Sequence, residues 1–133
     1  MDNVTFMKNL YEAFGRGEIP AVLGAMAPNI EWHQAESHPY MPSGAAWVGP
    51  EAVLGNLFMR IGAEWEGFAV APKSFLDAGG SVTVQGRYTG TYKATGKSLN
   101  TQFCHVWDIK DGKVSRFQQY VDTAKLQDVM GAR

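Results

Sequence analysis

Residues 81–121 read SVTVQGRYTGTYKATGKSLNTQFCHVWDIKDGKVSRFQQYV, and their periodicity decides the fold. Apolar and polar residues alternate through 81–92, 99–109 and 113–121, the period of strands whose side chains point to opposite faces in turn. The breaks KATGK (93–97) and KDGK (110–113) are short and turn-forming, so consecutive strands pair antiparallel. One step upstream, 68–76 repeats the alternation and is set off by DAGG (77–80), which makes a meander of four strands. Gly86 and Gly90 lie inside the second of these, where a residue without a side chain lets a sheet bend or bulge.

The period changes on the N-terminal side of Gly67. Phe6, Met7, Leu10, Tyr11 and Phe14 recur at three- and four-residue spacing behind a cap at Asp2 or Asn3, and Gly15 with Gly17 stops that helix. A shorter helix starts near Ile19, with Pro20 in its first turn and Val22, Leu23 and Met26 on one side, and Pro28 ends it. Residues 30–34 form a short strand with Ile30, Trp32 and Gln34 on one face and Glu31 and His33 on the other. Residues 35–49 contain Pro39, Pro42 and Gly44 and read as a long loop suited to a lid. Pro50 opens a third helix with Val53, Leu54, Leu57, Phe58 and Ile61 as its buried stripe. Beyond the meander, 122–130 read as a terminal helix with Leu126, Val129 and Met130 inward. Helices followed by a curved, mainly antiparallel sheet define an α+β fold with the helices on the concave side, and 133 residues fit one domain spanning 1–133.

Composition narrows the function. Twelve basic against thirteen acidic residues leave a net charge of −1 without a run of either sign, which gives no footprint for nucleic acid or an anionic membrane. The expected partner is a small, near-neutral molecule or another protein. Cys104 is the only cysteine, so no intrachain disulfide is available. The N-terminus lacks the pattern of a signal peptide and no apolar run approaches a membrane span, so the expected location is the cytoplasm. No glycine-rich stretch follows the strand–loop–helix layout of a phosphate cradle, and no cofactor is expected.

Four segments together, LYEAFGRGEIPAVLGAMAPNIEWH (10–33), GPEAVLGNLF (49–58), FCHVWDIKDGKVSRF (103–117) and YVDTAKLQ (120–127), resemble the SnoaL-like, polyketide-cyclase-like branch of the superfamily that includes nuclear transport factor 2 and the ketosteroid isomerases. The resemblance implies an NTF2-like cone around a deep apolar cavity and a homodimer packed through the outer face of the sheet. It leaves chemistry open, because this fold hosts isomerases, cyclases, hydrolases, dehydratases and proteins with no activity.

Strand alternation and the resemblance together nominate a site. On 99–109, Thr101, Phe103, His105 and Trp107 share one face while Cys104 and Val106 take the other, so Cys104 is a structural thiol. His105 stands where the resembling proteins carry an ionisable residue. An imidazole there exchanges protons near neutrality, its unperturbed pKa being about 6.5. The competing reading is a core or interface histidine that bonds one backbone carbonyl. Asp122 matches the aspartate taken as the acid/base group of the cyclase-like branch, and Gln118 and Tyr120 precede it on the same side. Asp122 also stands immediately before TAKLQDVM, the place of a helix N-cap, and both roles stay open.

The segment EWHQAESHPY (31–40) holds two of the three histidines, but its groups separate by alternation. The resemblance puts Gln34 at the position of the isomerases' base carboxylate. Glutamine hydrogen-bonds a ligand and cannot take its proton, so ketosteroid isomerisation by that route is not expected. The isomerases' enolate-stabilising tyrosine falls at Leu10, one place before Tyr11. Glu31 and His33 face solvent or a partner, and Glu36 and His38 belong to an exposed lid. No metal is expected, since neither HExxH nor paired-cysteine spacing occurs. Three functions fit: an acid/base enzyme using His105 and Asp122 on a small hydrophobic carbonyl compound, with Trp32, Gln34, Phe103, Trp107, Gln118 and Tyr120 binding it; a binding protein using the same pocket; and an interaction domain using its sheet.

Overall fold

A computed structural model describes residues 1–133. Helix α1 (Asn3–Gly15) starts at Asp2, whose carboxylate accepts from Thr5 N–H at 2.7 Å, and turns Met7, Leu10 and Tyr11 inward. Helix α2 (Ile19–Gly24) carries its proline in the first turn and buries Val22. It stops at Gly24, before Pro28, because β1 (Met26–His33) already begins at Met26. Proline is tolerated in that strand because the ladder to β6 (Lys113–Val121) is broken between Met26 and Glu31, where no backbone donor is required. The loop 35–49 is less irregular than its composition suggests. It contains β2 (Ala46–Val48), which pairs with β1 through Trp32 and Trp47.

The third helix runs as three joined pieces, α3 (Pro50–Val53), a π-helical turn (Leu54–Phe58) and α4 (Met59–Glu64). The wider turn brings Leu57 and Phe58 onto the concave side, Phe58 edge-on to Phe14 and Trp32 with ring centres 5.3 and 5.7 Å away. Strand β3 (Trp65–Asp77) begins two residues before Gly67 and pairs with β4 (Ser81–Tyr92), which pairs with β5 (Ser98–Lys110), which pairs with β6. The sheet order is β2-β1-β6-β5-β4-β3, antiparallel throughout except for β1 beside β6. Helix α5 (Thr123–Met130) closes the chain and buries Leu126 and Val129.

Inward-facing residues of the strands and helices merge into one hydrophobic core. From β5 come Leu99, Thr101, Phe103, His105 and Trp107, all buried, in the alternation read from the sequence. On β6 the inward residues are Phe117 and Gln119, and the expectation for Gln118 and Tyr120 is corrected here: Gln118 is only half-buried and Tyr120 is 57% exposed. They share the side of Asp122, as expected, but that side is the outer one, and a bulge earlier in the strand sets it. Ile109 pairs with Val114 and Asp108 with Arg116, so Ser115 is an extra residue that reverses the facing of everything after it.

Candidate functional site

The concave side of the sheet and the helices surround a cavity of about 80 Å³. Eighteen of its 22 lining residues are hydrophobic, so its few polar groups stand in low-dielectric surroundings and their hydrogen bonds carry its chemistry. His105 is on its wall. Both ring nitrogens are taken by phenols: Nδ1 by the Tyr11 hydroxyl at 2.5 Å, and Nε2 by the Tyr88 hydroxyl. Tyr11 oxygen also accepts from Trp107 Nε1 at 2.9 Å, and Tyr88 oxygen from Gln119 Nε2 at 2.9 Å. Phe103 stacks on the imidazole with ring centres 4.0 Å apart, supporting it from the sheet side instead of lining the cavity.

Burial pushes the His105 pKa down to about 3, and burial pushes both tyrosines up, Tyr11 further against the hydrogen bond from Trp107 and Tyr88 against that from Gln119. Near neutral pH the three groups are therefore all uncharged. The hydrogens can be counted. Trp107, Tyr11, His105, Tyr88 and the bonded N–H of Gln119 supply five hydrogens to four contacts, because neutral imidazole carries only one. One phenolic O–H is left without a partner in the network. Its owner depends on the imidazole tautomer: with the hydrogen on Nε2 it is Tyr88, with the hydrogen on Nδ1 it is Tyr11.

A second polar group closes the cavity on the lid side. Tyr40, from the loop, donates to Glu64 Oε1 at 2.9 Å and accepts from Trp65 Nε1 at 3.2 Å. Arg60 bonds the other Glu64 oxygen at 3.0 Å and lies over the Tyr40 ring, so the loop is fastened to α4. His38 is the neighbour of this latch, and the expectation that it is exposed is corrected: it is 5% exposed and lines the cavity. Its Nδ1 accepts from Tyr40 N–H at 3.0 Å, and burial, with Arg60 nearby, lowers its pKa to about 4.

Among the expected site residues, His105, Trp107, Trp32 and Gln34 are brought together on the cavity wall. Trp32 Nε1 donates to Gln34 Oε1 at 2.9 Å, which also fixes which end of the amide faces the indole. Asp122 is not in the cavity. It caps α5, accepting from Lys125 N–H at 3.1 Å, and shares the outer side of the sheet with Cys104 and Tyr120, so of its two open roles the geometry supports the cap. Asp122→Ala is expected to lower stability by ~1 kcal/mol in urea unfolding, and Asp122→Asn to retain most of it, since asparagine caps as well. A loss well above that in the asparagine variant contradicts a capping role.

Tyr11, Tyr88, Gln119 and His38 are the site residues the sequence reading did not name. Tyr11 sat on a helical stripe already recognised as apolar and Tyr88 in a strand of regular alternation, and a buried phenol needs a partner for its hydroxyl. That requirement was the available signal. His38 had none, lying in a loop without period.

An α+β fold with a curved sheet, an apolar cavity and a buried, uncharged His105 between two tyrosines defines the class. The chain belongs to the SnoaL-like domain family, which matches residues 7–117. Among solved structures it is similar to an NTF2-like protein from Burkholderia thailandensis, at 32% identity over 96% of this chain and 95% of that one, with a TM-score of 0.89. The same fold is shared by TerC, crystallised with polyporic acid, at 24% identity over 97% and 98% of the two chains and a TM-score of 0.84. It is shared as well by IdmH of Streptomyces antibioticus, a polyketide cyclase candidate, at 19% identity over 96% of each chain and a TM-score of 0.76. No curated protein matches the sequence. No helix is long and apolar enough to cross a membrane.

Proposed function

We propose that this protein is a cofactor-independent proton-transfer enzyme of isomerase or cyclase type, acting on a small hydrophobic carbonyl compound held in the cavity. The observation that carries the reading is the buried imidazole with a phenol on each nitrogen. Such a chain moves a proton without creating charge, which suits an apolar enclosure where an isolated ion is costly. Beginning with the imidazole hydrogen on Nε2, Tyr88 gives its free O–H proton to the substrate oxygen and takes the Nε2 hydrogen in return. Nδ1 takes the Tyr11 proton, and Tyr11 oxygen takes a proton from the substrate carbon, whose C–H electron pair becomes the enol double bond. The imidazole ends as the other tautomer, and the reverse sequence returns it. Asp122 has no part in this scheme.

The test is exchange of α-hydrogens of 2-tetralone for deuterium in D2O, followed by proton NMR. Wild-type protein is expected to accelerate exchange, and Tyr11→Phe, Tyr88→Phe and His105→Phe to lose roughly 100-fold or more of that acceleration while remaining folded by circular dichroism. Unchanged exchange in the three folded variants, or none with the wild type, removes the mechanism. Gln34 in place of a carboxylate favours a second reading, a binding protein that releases its ligand unaltered.

A further inference from the structure

The polar groups that line the cavity and lack a partner are of one kind. Gln34 is 2% exposed, and its Nε2 is a buried side-chain atom with no hydrogen-bond partner. The indole N–H of Trp32 occupies Oε1, so it is the NH2 end of Gln34 that is left over. Gln119 is oriented the same way: Ala35 N–H donates to its Oε1 at 3.3 Å, Nε2 donates to Tyr88, and one N–H is spare. His38 accepts on Nδ1 and is neutral, so its hydrogen sits on Nε2, an N–H without a protein acceptor. The fourth donor group is the phenolic O–H of Tyr11 or Tyr88. On the acceptor side nothing comparable remains. Both nitrogens of His105 are occupied, each amide oxygen already holds one hydrogen bond, and the Tyr40 oxygen is held between Trp65 and Glu64, so no acceptor atom of the lining is wholly without a partner as Gln34 Nε2 is. Thr101 Oγ1, the other buried atom without a partner, does not line the cavity.

We infer that the cavity selects an apolar carbonyl compound that brings acceptor oxygens and no hydroxyl or amine hydrogen, with Gln34 and His38 as specificity-determining donors. An acceptor oxygen relieves Gln34 Nε2, which is otherwise buried unpaired, whereas a ligand hydroxyl must also place its hydrogen on an oxygen that already holds a hydrogen bond. The inference rests on the cavity being the ligand site, as in the proposed function, and is independent of turnover.

Three molecules of one skeleton test it: 9-fluorenone, which only accepts; 9-fluorenol, which must also donate; and fluorene, which does neither. Isothermal titration of the wild-type protein is expected to give fluorenone a dissociation constant at least about tenfold below that of fluorenol. The carbonyl stretch of bound fluorenone should lie at lower wavenumber than in hexane. In Gln34→Leu, which removes the NH2 donor, the ketone should lose most of its advantage over the alcohol. Fluorenol binding as tightly as fluorenone to the wild type, or absence of binding by all three, overturns the inference, and neither result needs a variant to fold. Ketone preference in a protein that exchanges no α-hydrogen upholds the inference and removes catalysis instead.

Discussion

Gly86→Ala is expected to cost ~3 kcal/mol or more of folding stability, at the upper end of what overpacking does to a filled core. A Cβ built on Gly86 meets Ala71 carbonyl oxygen at 2.3 Å, Phe103 Cζ at 2.6 Å and Pro72 Cα at 2.9 Å. Two of those three atoms are backbone of β3, which cannot swing aside as a side-chain tip does. The strand passes close because the β3–β4 ladder slips between Pro72 and Ser74, bending the sheet at the level of the cavity. The damage is also expected to reach the site. Phe103 fills the space above Gly86 and stacks on His105, so displacing its ring tilts the imidazole between Tyr11 and Tyr88. Urea unfolding read by tryptophan fluorescence gives the stability, and the 9-fluorenone titration gives the site. Gly62→Ala is the matched control, since its Cβ meets nothing within 4 Å and it lies in α4, where alanine is preferred by up to about 1 kcal/mol. A loss below about 1 kcal/mol for Gly86→Ala contradicts the close approach of the strands.

Gly86 also marks how far the sequence could be read. Glycines within a regular alternation announce that a sheet bends, and the four-strand meander, the helix order and the inward face of β5 were all legible because each rests on local period. The structure departs from that reading where the resemblance placed Asp122 inward: Gln118 and Tyr120 share its side, and that side is the outer one, while Phe117 and Gln119 face inward past the bulge at Ser115. The relay itself was half visible. Tyr11 belonged to the buried stripe of α1 and His105 to the inward face of β5, but they lie 94 residues apart in the chain, and no local pattern states that a helix lays its phenol on that nitrogen. The lid side was least legible, because the burial of His38 depends on Tyr40 bonding Glu64 and Arg60 covering Tyr40, long-range contacts made by a segment without periodicity.

Those two buried histidines lead to the second large effect, a loss of stability in mild acid. Burial holds His105 at about 3 in the folded protein, and burial with the nearby Arg60 holds His38 at about 4, against 6.5 for an unhindered histidine. Both folded values are depressed, so between 6.5 and these values the unfolded chain binds protons that the folded chain refuses. Stability must then rise with pH through that window and fall as the pH is lowered through it, with no contribution from either group above about 7. Each histidine adds a slope approaching about 1.4 kcal/mol per pH unit, so the pair approaches about 3. The paired carboxylates act in the same direction but lower on the scale: in Glu64 the hydrogen bonds from Arg60 and Tyr40 outweigh burial and keep the group below its ordinary value of 4.5. The window from about pH 6.5 to about 5 therefore belongs to the histidines. Urea unfolding at half-unit intervals should show a steep loss there in the wild type and about half that slope in His38→Phe, whose ring replaces the imidazole without a titrating group. Stability that stays flat down to about pH 5 means that both imidazoles gain protons inside the fold, and the proposed charge-free relay then loses its basis.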